Sequence, residues 1–123
     1  MTVDTLLLRQ IHHGFVQNGR VTSQAFRPTP KDEDQLSVDR GDMITPEASW
    51  RRFCLQPDCS SAGVMAISNG ECSTCGVSVI QDGDPYPEHC YLDFAPFSRK
   101  ESEKIGKKLA ASAHTRGWLY EAK

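Results

Sequence analysis

The stretch Ser98-Arg99-Lys100-Glu101, followed by Ile105, Leu109 and Ala113, constrains the fold more than any other. Ser98 is placed to accept from the third helical amide while Glu101 reaches back to the cap's own amide, a capping box that starts a helix at Arg99. Ile105, Leu109 and Ala113 recur every fourth residue, so one apolar stripe faces a core. Arg99, Lys100, Lys104, Lys107 and Lys108 lie on the other side, and Gly117 supplies a stop. The pattern predicts an amphipathic C-terminal helix from 99 to about 115. Such a helix needs a second apolar surface to cover.

That surface is read from short β-like runs. Leu6-Leu7-Leu8 fits a buried strand, although residues 4–13 also fit a short helix capped by Asp4 and stopped by Gly14. Asn18-Gly19 is a two-residue turn signal that joins FVQ to RVTSQAF in a hairpin. QLSVDR at 35–40 reads as a strand, and the Pro28 and Pro30 segment before it as a polar loop. Thr45 and Pro46 open a short helix over 46–54 that places Trp50, Phe53 and Cys54 on one face. GVMAIS and GVSVIQ, joined by NGECSTC, suggest a second hairpin. CYLDF reads as a strand with Cys90, Leu92 and Phe94 on its apolar face and His89, Tyr91 and Asp93 on the other. With 123 residues the chain is read as a single α+β domain over 1–123: two β-hairpins or a small mixed sheet, packed with a short helix and the C-terminal helix.

The charge is polarised. The net value is −2, yet no Lys or Arg occurs from Cys54 to Phe97, where Asp58, Glu71, Asp82, Asp84, Glu88 and Asp93 lie. The basic residues gather on the last helix. Nucleic-acid binding needs a basic surface that displaces counterions. One basic helix beside an acidic middle argues against it, and a nucleic-acid accessory role through that helix stands only as an alternative. The N-terminus, MTVDTLLLRQ, carries an acid where a secretory signal needs basic residues, and its apolar run ends at Leu8. With five cysteines, an odd number, the expectation is a cytoplasmic chain with reduced thiols and no membrane span.

Cys54 and Cys59, then Cys72 and Cys75, give C-x4-C and C-x2-C pairs separated by twelve residues. Two residues between thiolates let both sulfurs reach one ion, and Gly76 suits the tight turn that follows. Over these 22 or so residues the spacing resembles a zinc ribbon, which implies a structural zinc ion held by Cys54, Cys59, Cys72 and Cys75, with His89 as a substitute ligand. The other reading is that these are core and turn thiols, since reduced cysteine packs as a small hydrophobe. A redox role for Cys72 and Cys75 fits poorly, because a strand sequence follows where a helix should begin. Cys90, on the apolar face, reads as core.

Two function classes remain. One is a non-catalytic protein that binds another protein, with Lys100, Lys104, Lys107 and Lys108 as the docking residues. The other is a small enzyme using Arg9, His12, His13, Arg20 and Ser23. The order Arg9, Ser23 and then Glu88 or Glu121 is similar to that of mono-ADP-ribosyltransferases, a likeness of residue order alone. Convergence of these residues in one pocket, with a carboxylate opposite, separates the classes.

Overall fold

A computed structural model describes residues 1–122. The elements run β1 (Leu6–Ile11), a 3-10 turn at His13–Phe15, β2 (Val16–Gln17), β3 (Arg20–Val21), a 3-10 turn at Ser23–Phe26, β4 (Gln35–Arg40), α1 (Pro46–Leu55), β5 (Gly63–Ser68), α2 (Asn69–Thr74), β6 (Ser78–Ile80), β7 (His89–Asp93), α3 (Arg99–Arg116) and β8 (Tyr120–Glu121). The α+β domain is there, with a larger sheet than the short runs suggest. Six strands pair antiparallel in the order β6-β7-β4-β1-β5-β8, and β2 and β3 form a separate hairpin. Its turn residues Asn18 and Gly19 both take positive φ, 53° and 76°, as an inner turn matched to strand twist requires.

The apolar patterns set the layers. All six residues of β5 are buried, so β5 needs cover on both faces. On one face α3 packs Ile105, Leu109 and Ala113 against Leu7, Ile11, Met65, Ile67, Leu92 and Phe94. On the other, Trp50 of α1 and Tyr120 of β8 pack on Leu8, Val64 and Ala66. The Trp50 and Tyr120 rings stand 5.0 Å apart, and the Trp50 indole donates to the Ser61 carbonyl at 2.9 Å. Trp50, Phe53 and Cys54 of α1 are half-buried, and Ser49 is its most enclosed residue. Helix α3 also lies close to the turn at Ser23–Phe26. A Cβ on Gly106 would stand 3.2 Å from the Ser23 carbonyl oxygen, so glycine permits this approach despite its cost inside a helix.

One open alternative is resolved and one expectation changes. Residues 6–11 are strand, with no helix, because Leu7, Leu8 and Ile11 are buried between two neighbouring strands. NGECSTC is not a hairpin turn. Ser68 and Glu71 form a capping box, and α2 follows. β5 then pairs with β1 and β8, while β6 pairs with β7. The same signal that marks Ser98 as a helix start is present at Ser68, within the β-like surroundings.

Glu71 does more than cap. It accepts from the Ser68 amide at 2.7 Å and from both terminal nitrogens of Arg116, at 3.1 and 3.0 Å, and Arg116 also donates to the Ala66 carbonyl. One carboxylate thereby ties α2, β5 and the end of α3 together. Burial pushes the Glu71 carboxyl up, but the bonds from Arg116 and Ser68 outweigh it and hold it below its ordinary value. A carboxyl depressed in the folded state stabilises above its unfolded pKa, near ~4.3, and loses that contribution as pH falls through the lower folded value. E71Q is expected to lower stability by about 1–3 kcal/mol at neutral pH. Urea unfolding of the two proteins should show that deficit shrinking below pH ~4, as wild-type Glu71 itself protonates; a deficit unchanged with pH would refute the role.

Candidate functional site

The six-stranded sheet is not zipped throughout. β1 and β4 pair only at Leu7 with Arg40 and Leu8 with Asp39, with a bond from the Gly41 amide to the Leu6 carbonyl beyond. Past Leu8, β1 stays with β5 through Ile11 while β4 stays with β7 through Gln35. The strands part, and a cavity of about 270 Å³ lies at the split. Gln10, Ser37, Asp39 and His89 line it from the sheet, and Ser49, Arg52 and Phe53 from α1. Pro85 and Tyr86 close one side; Arg9, His12 and Phe15 line it as well.

Its polar groups form a connected set. Asp39 accepts from the Ser49 hydroxyl at 2.7 Å, and the Ser49 oxygen accepts from Gln10 Nε2 at 2.9 Å. Arg52 pairs with Glu88 and lies 3.6 Å from Asp39. Its guanidinium stacks 3.6 Å from the centre of the Tyr86 ring, a contact that favours a cation over an aromatic face. Burial raises the Glu88 carboxyl, but hydrogen bonds from Arg52 and the backbone leave it below its ordinary value. His89 Nδ1 stands 2.6 Å from Asp82 Oδ1. Arg9 bridges the split: its Nε donates to the Ala25 carbonyl at 2.8 Å and Nη1 to the Ser37 carbonyl at 3.2 Å. The cleft thus offers orienting hydrogen bonds, a stacked cation and aromatic walls. Its buried serine, Ser49, is 1% exposed and already donates to Asp39, so that hydroxyl is not a free nucleophile.

The N-terminal group predicted from sequence is divided. Arg9 and His12 line this cleft, with Asp39 across it. Arg20 and Ser23 lie in a separate depression beside Lys107 and His114, and His13 is exposed. Glu88 is engaged by Arg52 and Glu121 sits on the edge strand β8. Gln10, Asp39, Ser49, Arg52 and Tyr86 escaped the sequence reading because they converge only through pairing of β1 with β4 and packing of α1.

The cysteines are divided too. Cys72 is buried on the α3 side of the sheet, with Cys75 packed beside it. Cys54 and Cys59 belong to α1 and the turn after it, on the opposite side; Cys59 turns back to Gln56 through backbone and thiol. Cys90 is buried on the α3 side, while His89 faces Asp82. Among the described residues no three His, Cys, Asp or Glu side chains come together as a metal site. The four spaced cysteines do not form one cluster, because the sheet stands between the pairs. Cys72 lies within α2 and Cys75 caps its C-terminal end, so the turn expected of NGECSTC is a short helix.

Lys100, Lys104, Lys107 and Lys108 are all exposed on α3. Among the described residues none of them forms an ion pair, whereas Arg27 and Arg99 both turn to Glu103. No helix among those residues is long and apolar enough to cross a membrane. Comparisons of the chain with family models, curated proteins and solved structures find no match.

The thiols should separate by reactivity. Burial pushes Cys72 up to about 12 and Cys90 up to about 11, and the thiolate is the reactive form. Alkylation of the native protein at pH 8 followed by peptide mass analysis is expected to label Cys54, Cys59 and Cys75 and to reach Cys72 and Cys90 only after unfolding. Joint protection of Cys54, Cys59, Cys72 and Cys75, reversed by a chelator, would instead restore the zinc reading.

Proposed function

We propose that this protein acts without catalysis, by binding an acidic surface of another protein through α3. The observation that carries this reading is the row Lys100, Lys104, Lys107 and Lys108, four exposed ammonium groups with no carboxylate partner among the described residues. Spacings of four, three and one put them on a single helical face. The acidic loop residues Asp82 and Asp84 lead into β7 beside the cleft, so charge of opposite sign is distributed unevenly over the molecule. Such a distribution orients an approaching partner and raises its rate of encounter. The divided N-terminal cluster supports binding over catalysis, since a catalytic group needs its members within hydrogen-bond reach.

The nucleic-acid alternative draws on the same lysines. One helical row beside an acidic loop gives few phosphate contacts, and the counterion-release slope would be shallow.

Reversal of charge tests the reading without unfolding the helix, because exposed substitutions change stability by about 0.5 kcal/mol or less. In crosslinking from cells of the source organism, wild-type protein is expected to capture a discrete acidic partner. K100E/K104E/K107E/K108E should lose it at least tenfold, and so should wild-type at high salt, where screening falls to about 3 Å. An equal yield from both proteins would refute α3 as the docking face. Tight binding of wild-type to random duplex DNA at physiological salt would turn the reading to nucleic acid.

A further inference from the structure

The cleft holds a cation with no ion-pair partner among the described residues. Arg52 has Glu88 and Asp39. Arg9, by contrast, forms no ion pair among the described residues and gives its hydrogen bonds to two neutral carbonyls, Ala25 and Ser37. Carbonyl oxygens solvate a guanidinium but leave its charge uncompensated, and buried charges are ordinarily paired. The surroundings register the deficit: burial lowers Arg9 to about 10, with the more distant Asp32 opposing. At neutral pH the group stays charged.

A second unmet group borders the same space. Gln10 Oε1 is buried and has no hydrogen-bond partner. Its orientation follows from the network. The Ser49 hydroxyl donates its only proton to Asp39 Oδ2. The Ser49 oxygen then accepts from Gln10 Nε2, which directs the amide oxygen elsewhere. A buried acceptor without a donor is destabilising until something donates to it. His12 adds a potential donor: its Nδ1 accepts from the Gly14 amide at 2.9 Å, so the neutral ring carries its proton on Nε2. Around these groups Phe15, Phe53 and Tyr86 supply flat apolar surface. A volume of about 270 Å³ lies just under the range of drug-sized sites, which suits a ligand of about one ring.

We infer that the cleft is a binding site for a small aromatic carboxylic acid, its carboxylate meeting Arg9, its ring lying against Phe15, Phe53 and Tyr86, and an N–H or O–H donor reaching Gln10 Oε1. A monoanion matches the single uncompensated cation. Inorganic phosphate fits worse, because its second charge would meet Asp39 and it gains nothing from aromatic walls. This ligand is independent of the protein partner on α3.

The test is titration of the full-length ¹⁵N-labelled protein with 4-aminobenzoate, benzoate, 4-aminobenzamide and inorganic phosphate, followed by amide shifts. 4-Aminobenzoate is expected to saturate at about 1 mM or tighter, with shifts confined to residues 8–15, 37–39, 49–56 and 85–89. Benzoate should bind several-fold more weakly, and the uncharged amide at least tenfold more weakly, a factor equal to about 1.4 kcal/mol. R9Q should lose affinity for 4-aminobenzoate at least tenfold, and Q10L should abolish the advantage of 4-aminobenzoate over benzoate. If R9Q does not fold, the wild-type comparison of acid with amide decides alone. Absence of saturation by about 10 mM, equal affinity for acid and amide, or shifts confined to the lysines of α3 would each overturn the proposal.

Discussion

Everything else in the molecule answers to the two-sided burial of β5. A strand with all six residues enclosed cannot sit at a solvated sheet face, and its flanks must be filled by whatever the chain has left. α3 covers one side with a regular apolar stripe. The other side is covered piecemeal, by Trp50 of α1 and by Tyr120 of a two-residue strand. Gly63 makes the last of these contacts feasible. Its φ is 153°, and a Cβ there would run into the Tyr120 carbonyl oxygen and the Trp118 ring.

The piecemeal cover is what leaves room for a site. α1 is only ten residues long, and it roofs the sheet near Asp39 and Gln10 with polar side chains in place of an apolar stripe. A fully apolar α1 at Ser49 and Arg52 would close the space and strand Asp39 without a donor. As it stands, Ser49 and Arg52 satisfy Asp39, while Arg9 reaches across the gap to the Ser37 carbonyl where a strand ladder would otherwise run. The cleft therefore comes from an interrupted ladder whose polar debts are mostly settled by side chains. The debts left open, at Arg9 and Gln10, are those a ligand can meet.

Local signals carried well from sequence to structure. The Ser98 box, the Asn18-Gly19 turn, the Thr45-Pro46 start and the alternation around Cys90 all depend on neighbours within four residues, and all are found as read. The C-x2-C spacing carries less, because spacing does not say what lies between two pairs; among the described residues a sheet does. The β-like flanks hid α2, although Ser68 and Glu71 spell the same cap as Ser98 and Glu101. The cleft was illegible for a different reason. Gln10 and Ser49 are 39 residues apart, and Arg52 and Glu88 are 36 apart. Packing of α1 over β1 and the pairing of β4 with β7 bring such residues together, and nothing in either local stretch announces it.

The narrow pairing between β1 and β4 divides the sheet mechanically. β6, β7 and β4 make one leaf, and β1, β5 and β8 the other, joined along a short seam near Leu7 and Leu8. Beyond that seam the two leaves share no ladder pairing and are held by the common core under α3, which draws Leu7 and Ile67 from one leaf and Leu36 and Leu92 from the other. The guanidinium of Arg9 spans the gap and acts as a latch between the leaves. Its bond to the Ser37 carbonyl extends the contact between the leaves past the last paired residues, in place of a ladder rung.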